Sequence, residues 1–413
     1  MYKHPKKRLW TWFSSLVFSS LLFPTFAQAE EGVTDSEIII GGVMDLEGRS
    51  SGLGMGMKVG IDAAIKDKTI GGKKIVFKTL NDSYTPDKTI EAVKTLMNEG
   101  VLLFAGNMGT PTAKVSLPLL AEKKIPAVGF YTGAEFLRKT DADILNFRAS
   151  YAQETKSIVL EALKRGIPAQ SICTFAQSDA FGMEGVKGVR DALATAPDTG
   201  KIVEAFDKVI SMEGVNNVGP IGVYKRNTFI AREGYDSLKA WEKQNNTQCK
   251  LVVTVAVYEP AARFMTYSLE KGEPWVFSAI SASSAEDFMD VLQKFKSTNA
   301  KVMMTQVTPS TDSTLPIVQE AHTALGDKYG YVTQEGYIVG RLLLYGFDKL
   351  VSENKPITRS NFMATIKGSK FDLGGLTMDF TTDNQGSDFI AITTLENGKW
   401  ASIQDATWAT WFK

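Results

Sequence analysis

The chain has 413 residues, with 46 basic and 46 acidic side chains, 44% hydrophobic residues, two cysteines and two histidines. That length exceeds one ordinary core and suits two lobes. The charge balance excludes a nucleic-acid-binding surface, which needs a basic excess, and so few cysteines and histidines exclude a clustered metal site.

Residues 1–29 read as an export signal. Lys3, Lys6, Lys7 and Arg8 form a basic start, an apolar stretch runs from Leu9 to Phe26, and Ala27-Gln28-Ala29 offers a cleavage site at about Ala29. The apolar stretch is short for a bilayer span and is broken by serines and Pro24. No cysteine follows to carry a lipid, and no later stretch is long and apolar enough to cross a membrane. The expectation is a soluble exported protein with 42 basic against 46 acidic residues, a net charge of −4. In such a compartment Cys173 and Cys249, both at or near strand starts, form either a disulfide or two buried thiols.

The mature chain alternates strand and helix. Ile38 to Val43 is a β-branched strand leading into the turn Arg49-Ser50-Ser51-Gly52, where Ser51 is a candidate ligand contact. A helix is expected from about Gly54 to Lys66. Gly52, Gly54, Gly56 and Gly60 lack the G-x-G-x-x-G spacing of a dinucleotide site and are read as close backbone approach lining a cleft. Strand Lys74 to Leu80 follows, and Thr85-Pro86-Asp87 opens the next helix. Val101 to Ala105 and Ile125 to Phe130 are strands that flank a helix interrupted by Pro118. Each ends in a small hydroxyl-bearing turn, Gly109, Thr110 and Thr112 in the first and Tyr131, Thr132 and Gly133 in the second. Ligands of parallel α/β sheets bind beyond the carboxyl ends of the strands, and hydroxyls at helix starts suit an anionic or polar group. The alternative is that Thr110 or Thr112 only caps its helix.

Ser150 to Gln153 is a capping box at the first crossing between lobes. In the second lobe, strands are expected at Ser171 to Ala176, Ile202 to Phe206, Leu251 to Val257 and Trp275 to Ile280, with a surface excursion at Asp207 to Gly222. Strand Lys301 to Val307 then leads back toward the first lobe, helix Gln334 to Ser352 packs there, and Phe389 to Leu395 begins the closing strand. Catalysis has no support: past the signal only His322 remains, on a helix, and there is no G-x-S-x-G elbow. No catalytic residue, metal or cofactor is expected.

The segments LNDSYTPDKTIEAVKTLMNEGV, GNMGT, PAVGFYTGAEFLR, FAQSDAFGMEGVKGV, AVYEPAARFM and EGYIVGRLLLYGFDKL follow one another in an order that resembles the periplasmic solute-binding proteins of ATP-driven importers. The match is to the type I group that includes leucine/isoleucine/valine-binding proteins, and it covers nearly all of Val33 to Lys413. The resemblance implies an α/β fold of two doubly wound, Rossmann-like lobes joined by three crossover segments and closing by a hinge. It places residues 33–148 with about 308–384 in one lobe and 149–307 with about 385–413 in the other.

The resemblance implies that Gly109, Thr110, Thr132 and Gly133 hold a ligand carboxylate. It puts Phe181 where an aromatic closes over the ligand and Tyr258 near another aromatic contact; these two and Tyr131 are either cleft aromatics or packing residues. Amino-acid binders carry an acid after the strand that ends at Ile280, where this chain has Ser281-Ala282-Ser283-Ser284, with Ser281 as the candidate contact. A buried ammonium without a counter-charge is costly, so the solute is either an amino acid or an organic carboxylate, the latter fitting hydroxyl turns and aromatics at least as well as leucine does. Asp179 and Glu335 are the substitutes available for an amino acid; their alternatives are a turn former and a helix-start charge. The partners implied are a small solute and the permease subunits of an inner-membrane ABC importer, with the protein acting as a monomer. A ligand sensor of the same fold, reporting to a membrane receptor, is the other reading.

Overall fold

The computed structural model describes residues 1–2, 30–138, 140, 142–212, 214, 216–396 and 398–412. The expected export signal thus lies outside the described residues but for its first two. The first sheet comprises β1 (Glu37–Met44), β2 (Thr69–Ile70), β3 (Lys73–Asn81), β4 (Leu103–Ala105), β5 (Ala127–Val128) and β6 (Ile144–Leu145). Its order is β2-β3-β1-β4-β5-β6, parallel except for β2. The second sheet begins with β7 (Ile172–Gln177), β8 (Ile221–Tyr224), β9 (Leu251–Val255), β10 (Val276–Ala279) and β11 (Val302–Gln306), all parallel. After a small hairpin of β12 (Lys370–Asp372) and β13 (Thr377–Asp379), strands β14 (Ala391–Glu396) and β15 (Lys399–Ser402) extend it antiparallel to give β15-β14-β11-β10-β9-β7-β8. Strand order reverses between β1 and β4 in one sheet and between β7 and β9 in the other, which opens a crevice at the carboxyl ends of each.

The chain passes between the sheets three times, after β6, after β11 and after β13. Two passes are zipped together, because Asn146 N–H donates to the Asn384 carbonyl at 2.7 Å and Gly386 N–H to the Asn146 carbonyl at 2.8 Å. Arg138 binds them more firmly. Its guanidinium is 2% exposed and donates to the Ala134 carbonyl (2.6 Å), the Arg148 carbonyl (2.9 Å) and Gln385 Oε1 (2.9 Å). Burial pushes its pKa down to about 10.

Helix Ser51–Ile65 lies directly on helix Tyr331–Ser352, so a segment from late in the chain completes the core of the first sheet. The approach requires glycine: a Cβ on Gly60 would come 2.1 Å from the Thr333 carbonyl oxygen, and one on Gly336 2.5 Å from that of Met57. The expectation that Gly56 and Gly60 line the cleft is therefore corrected, since both face this second helix, where Gly56 meets Val332. In the second lobe, Phe175 of β7 stacks on Phe264 with ring centroids 3.9 Å apart, and Trp275 and Phe277 extend the aromatic layer.

Two further expectations change. Ile202 to Phe206 is part of a helix, Gly200–Ile210, rather than a strand. Ile202, Phe206 and Val209 recur on one buried face while Lys201, Glu204 and Asp207 are exposed, so helical period outweighs the β-branched residues. The excursion begins correspondingly later, after Ile210. Pro118 does not interrupt its helix, which runs continuously from Thr110 to Lys123.

Cys173 and Cys249 are joined, with Cα atoms 5.8 Å apart and both side chains buried. The bridge ties β7 to the entry of β9 across a sequence separation of 76 residues, for which loop-closure entropy gives a stabilisation of about 4 kcal/mol. The double variant C173A/C249A is expected to melt several degrees below the parent in a calorimetric scan; equal melting temperatures would count against this estimate.

Candidate functional site

The two hydroxyl-bearing turns of the first lobe are one unit. Gly109 N–H donates to the Tyr131 carbonyl (3.1 Å), Tyr131 N–H to the Asn107 carbonyl (2.8 Å), and the hydroxyls of Thr110 and Thr132 are 2.6 Å apart. Gly109 has φ 99°, a left-handed region that favours glycine. Neither threonine acts as a cap. Thr110 is taken by Thr132, Thr112 donates back to the Met108 and Gly109 carbonyls, and no side chain caps helix Thr110–Lys123. The amino end of a 14-residue helix thus begins at these turns without a side-chain acceptor.

Opposite stand residues of the second lobe. Phe181 opens helix Ala180–Leu193 and meets Tyr151 edge-on at 5.1 Å. Tyr151 opens helix Tyr151–Lys164, whose capping box between Ser150 and Gln153 is formed. Together Leu53, Tyr84, Met108, Gly109, Thr110, Tyr131, Tyr151, Phe181, Val257 and Ala282 enclose a small space between the lobes. Its walls are aromatic and aliphatic, with hydroxyls at one side.

Behind two of these walls lies a buried charge. The Arg148 guanidinium is 4.9 Å from the Tyr131 ring centroid and 5.5 Å from that of Tyr151. It pairs with Glu154 (3.3 Å) and Glu335 (3.5 Å), and it also bonds Ser281 Oγ. Glu154 in turn accepts from Ser281 N–H (2.9 Å), Ser281 Oγ (2.9 Å) and Thr305 Oγ1 (2.5 Å). Burial alone would strip charge from Arg148, yet Glu335 and Glu154 hold its pKa above the ordinary value. Burial pushes Glu335 up to about 7, against the opposing pull of Arg148.

The structure brings Gly109, Thr110, Tyr131 and Phe181 to the enclosed space, with Thr132 and Gly133 immediately behind it; Gly133 packs on the Tyr151 ring. The remaining candidates have other partners. Asp179 caps its helix through Phe181 N–H (3.1 Å) and pairs with Arg226 (3.0 Å), Glu335 is matched to Arg148, and Ser281 to Glu154. Tyr258 donates across the lobes to the Arg49 carbonyl at 3.0 Å, and Ser51 starts its helix two residues beyond that carbonyl. Sequence reasoning missed Tyr84, Tyr151, Arg148 and Glu154. The lone cation between Phe147 and Ala149, ahead of a capping box, was the available signal for Arg148 and Glu154; Tyr84 offers none, lying in a polar connection. A wider groove on the outer face of the first lobe, lined by Lys68, Tyr337, Arg341 and Tyr345, lies away from the strand ends and has its Arg341 paired with Glu320.

Residues 37–207 match the family model for periplasmic binding proteins. Comparison with curated proteins gives no match. Among solved structures, a possible leucine/isoleucine/valine-binding protein from Rhodopirellula baltica is similar, with 28% identity over 92% of this chain and 98% of that one and a TM-score of 0.79. A branched-chain amino acid ABC transporter protein from Thermus thermophilus with bound valine has 14% identity over 90% and 96% of the chains, TM-score 0.69. An ABC transporter solute-binding protein from R. palustris in complex with 4-hydroxybenzoate has 15% identity over 89% and 96%, TM-score 0.69. The last two share the fold alone.

The raised Glu335 favours the protonated carboxyl in the folded state. Its stabilising contribution is full below the ordinary value of 4.5 and is lost as pH rises through about 7. The variant E335Q is therefore expected to lose less melting temperature than the parent between pH 5 and pH 8; parallel curves would argue against the shift.

Proposed function

We propose that this chain, similar to periplasmic binding proteins over residues 37–207, is a member of that family and captures a small organic carboxylate with an apolar body and no ammonium group. It is exported by its leader, works outside the cytoplasm as a monomer without catalysis, and delivers the solute to the permease subunits of an ABC importer. The closing units are residues 33–148 with about 308–384 and residues 149–307 with about 385–413, moving about the three crossings. Closure follows because the solute touches both halves and so binds the closed state better than the open one.

The observation that carries this reading is that Asp179, Glu154 and Glu335 already have arginine partners. An ammonium arriving in the cleft would have to compete with Arg226 for Asp179, or with Arg148 for the two carboxylates that share it. A carboxylate instead meets hydroxyls and an uncapped helix start at Thr110. The aromatic and aliphatic walls supply burial for its body. The similar folds that hold valine and 4-hydroxybenzoate are consistent with solutes of this size.

A thermal-shift panel tests the solute class, since a ligand of the folded state raises the melting temperature. Benzoate, 4-hydroxybenzoate and aliphatic carboxylates are expected to raise it, and leucine and valine are not; a rise confined to the amino acids would sink the proposal. Closure has its own test. A Cβ on Gly52 would come 2.6 Å from the Asp287 carboxyl carbon across the lobes, so G52C/D287C is placed to form a bridge in the closed form. Solute is expected to speed that cross-link, whereas a rate indifferent to solute would refute hinge closure.

A further inference from the structure

The hydrogen bonds around Gln177 determine where the proton of Tyr84 points. Gln177 Nε2 lies 2.9 Å from both oxygens of Asp179, which is ion-paired with Arg226 and accepts only. The amide oxygen of Gln177 accepts from the Tyr224 hydroxyl at 3.1 Å, and that hydroxyl in turn accepts from Val257 N–H at 3.3 Å. With the amide so oriented, its second hydrogen goes to the Tyr84 hydroxyl oxygen, 3.1 Å away. Tyr84 is therefore an acceptor toward the protein, and its own hydrogen remains to be donated. Among the described residues no hydrogen bond uses it, although Tyr84 is only 2% exposed.

The ring stands at the polar end of the enclosed space. A Cβ on Gly109 would come 2.4 Å from Tyr84 Cε2, the carbon beside the one that bears the hydroxyl. The backbone is strained to put it there. Ser83 and Tyr84 are both left-handed, with φ 49° and 52°, a conformation costing non-glycine residues about 1–2 kcal/mol each. The Asp82 carboxylate holds it by accepting from Tyr84 N–H (2.9 Å), and Asn81 Oδ1 accepts from Ser83 N–H (3.0 Å).

We propose that Tyr84 is a solute-binding residue that donates its phenolic proton to an acceptor group of the solute seated at the Gly109–Thr110 turn. The inference rests on the solute-receptor reading and sharpens it. The cleft selects for a carboxylate or other acyl oxygen at that end, and a solute with only donors there leaves the phenol unpaired. Tyr84 also joins the first lobe to Gln177 of the second, so the group that senses the solute is the one that bridges the closed cleft.

The test uses two measurements: melting of the ligand-free parent, Y84F and Y224F, and calorimetric titration of Y84F and the parent with benzoate and 4-hydroxybenzoate. Y84F is expected to bind these anions about ten- to a hundredfold more weakly than the parent, the range for a hydrogen bond to a charged group. In the ligand-free protein Y84F, which loses only the bond accepted from Gln177, is expected to melt lower by less than Y224F, which loses a donated and an accepted bond. Parental affinity in Y84F overturns the proposal. So does a ligand-free destabilisation of Y84F as large as that of Y224F, which would make the phenol structural. If the parent binds neither anion, the carboxylate reading fails by itself, and the melting comparison still decides whether the Tyr84 proton is used within the protein.

Discussion

The constraint on which the rest depends is the buried charge of Arg148. A guanidinium taken out of water without partners is prohibitively unfavourable, so carboxylates must reach it. Glu154 comes from the helix that enters the second lobe, and Glu335 from a helix that packs on the first. Satisfying one cation therefore draws together segments far apart in the chain. The same cation lies over Tyr131 and Tyr151, whose rings wall the enclosed space. The shape of that space is thus inherited from an electrostatic need behind it. Ser281 belongs to this arrangement too, since its amide and hydroxyl complete the coordination of Glu154.

The passages between the lobes follow a related logic. Arg138 spends its donors on backbone carbonyls and Gln385, so the connecting strands are held to one another by bonds that do not depend on where the lobes lie. Contacts that do cross the cleft are dispersed along it, among them Tyr258 to the Arg49 carbonyl, Gln177 to Tyr84, Tyr331 N–H to Glu286 and Glu135 N–H to Glu184. Each involves one or two hydrogen bonds of modest net strength. A fold with a firm knot at the crossings and light seams elsewhere is suited to open without unravelling.

Much of this was legible in the sequence because it rested on local rules. The apolar runs at Val101 and Ile125, each ending in glycine and threonine, reveal strands with turns at their carboxyl ends, and Ser150 with Gln153 announces a helix start. What was not legible required knowledge of distance in space. The substitution of serines for an acid after Ile280 was visible, but its partner was not: Ser281 serves Glu154, more than a hundred positions earlier. Tyr84 sits in Asn81-Asp82-Ser83-Tyr84-Thr85, a run that reads as a polar connection, and only the fold turns its ring toward Gly109. Ile202 to Phe206 misleads for a different reason. Its residue types favour a strand, whereas their spacing favours the helix that forms.

The pairing of helix Ser51–Ile65 with helix Tyr331–Ser352 has a consequence for the order in which the molecule is built. Strands β7 to β11 lie consecutively in the chain, so the central part of the second sheet can assemble from neighbouring segments. The first lobe begins earlier but must wait for a helix that emerges after that sheet has been synthesised. Contacts between residues so widely separated carry a large loop-closure penalty and form late. The amino-terminal half therefore remains an incomplete core through most of synthesis.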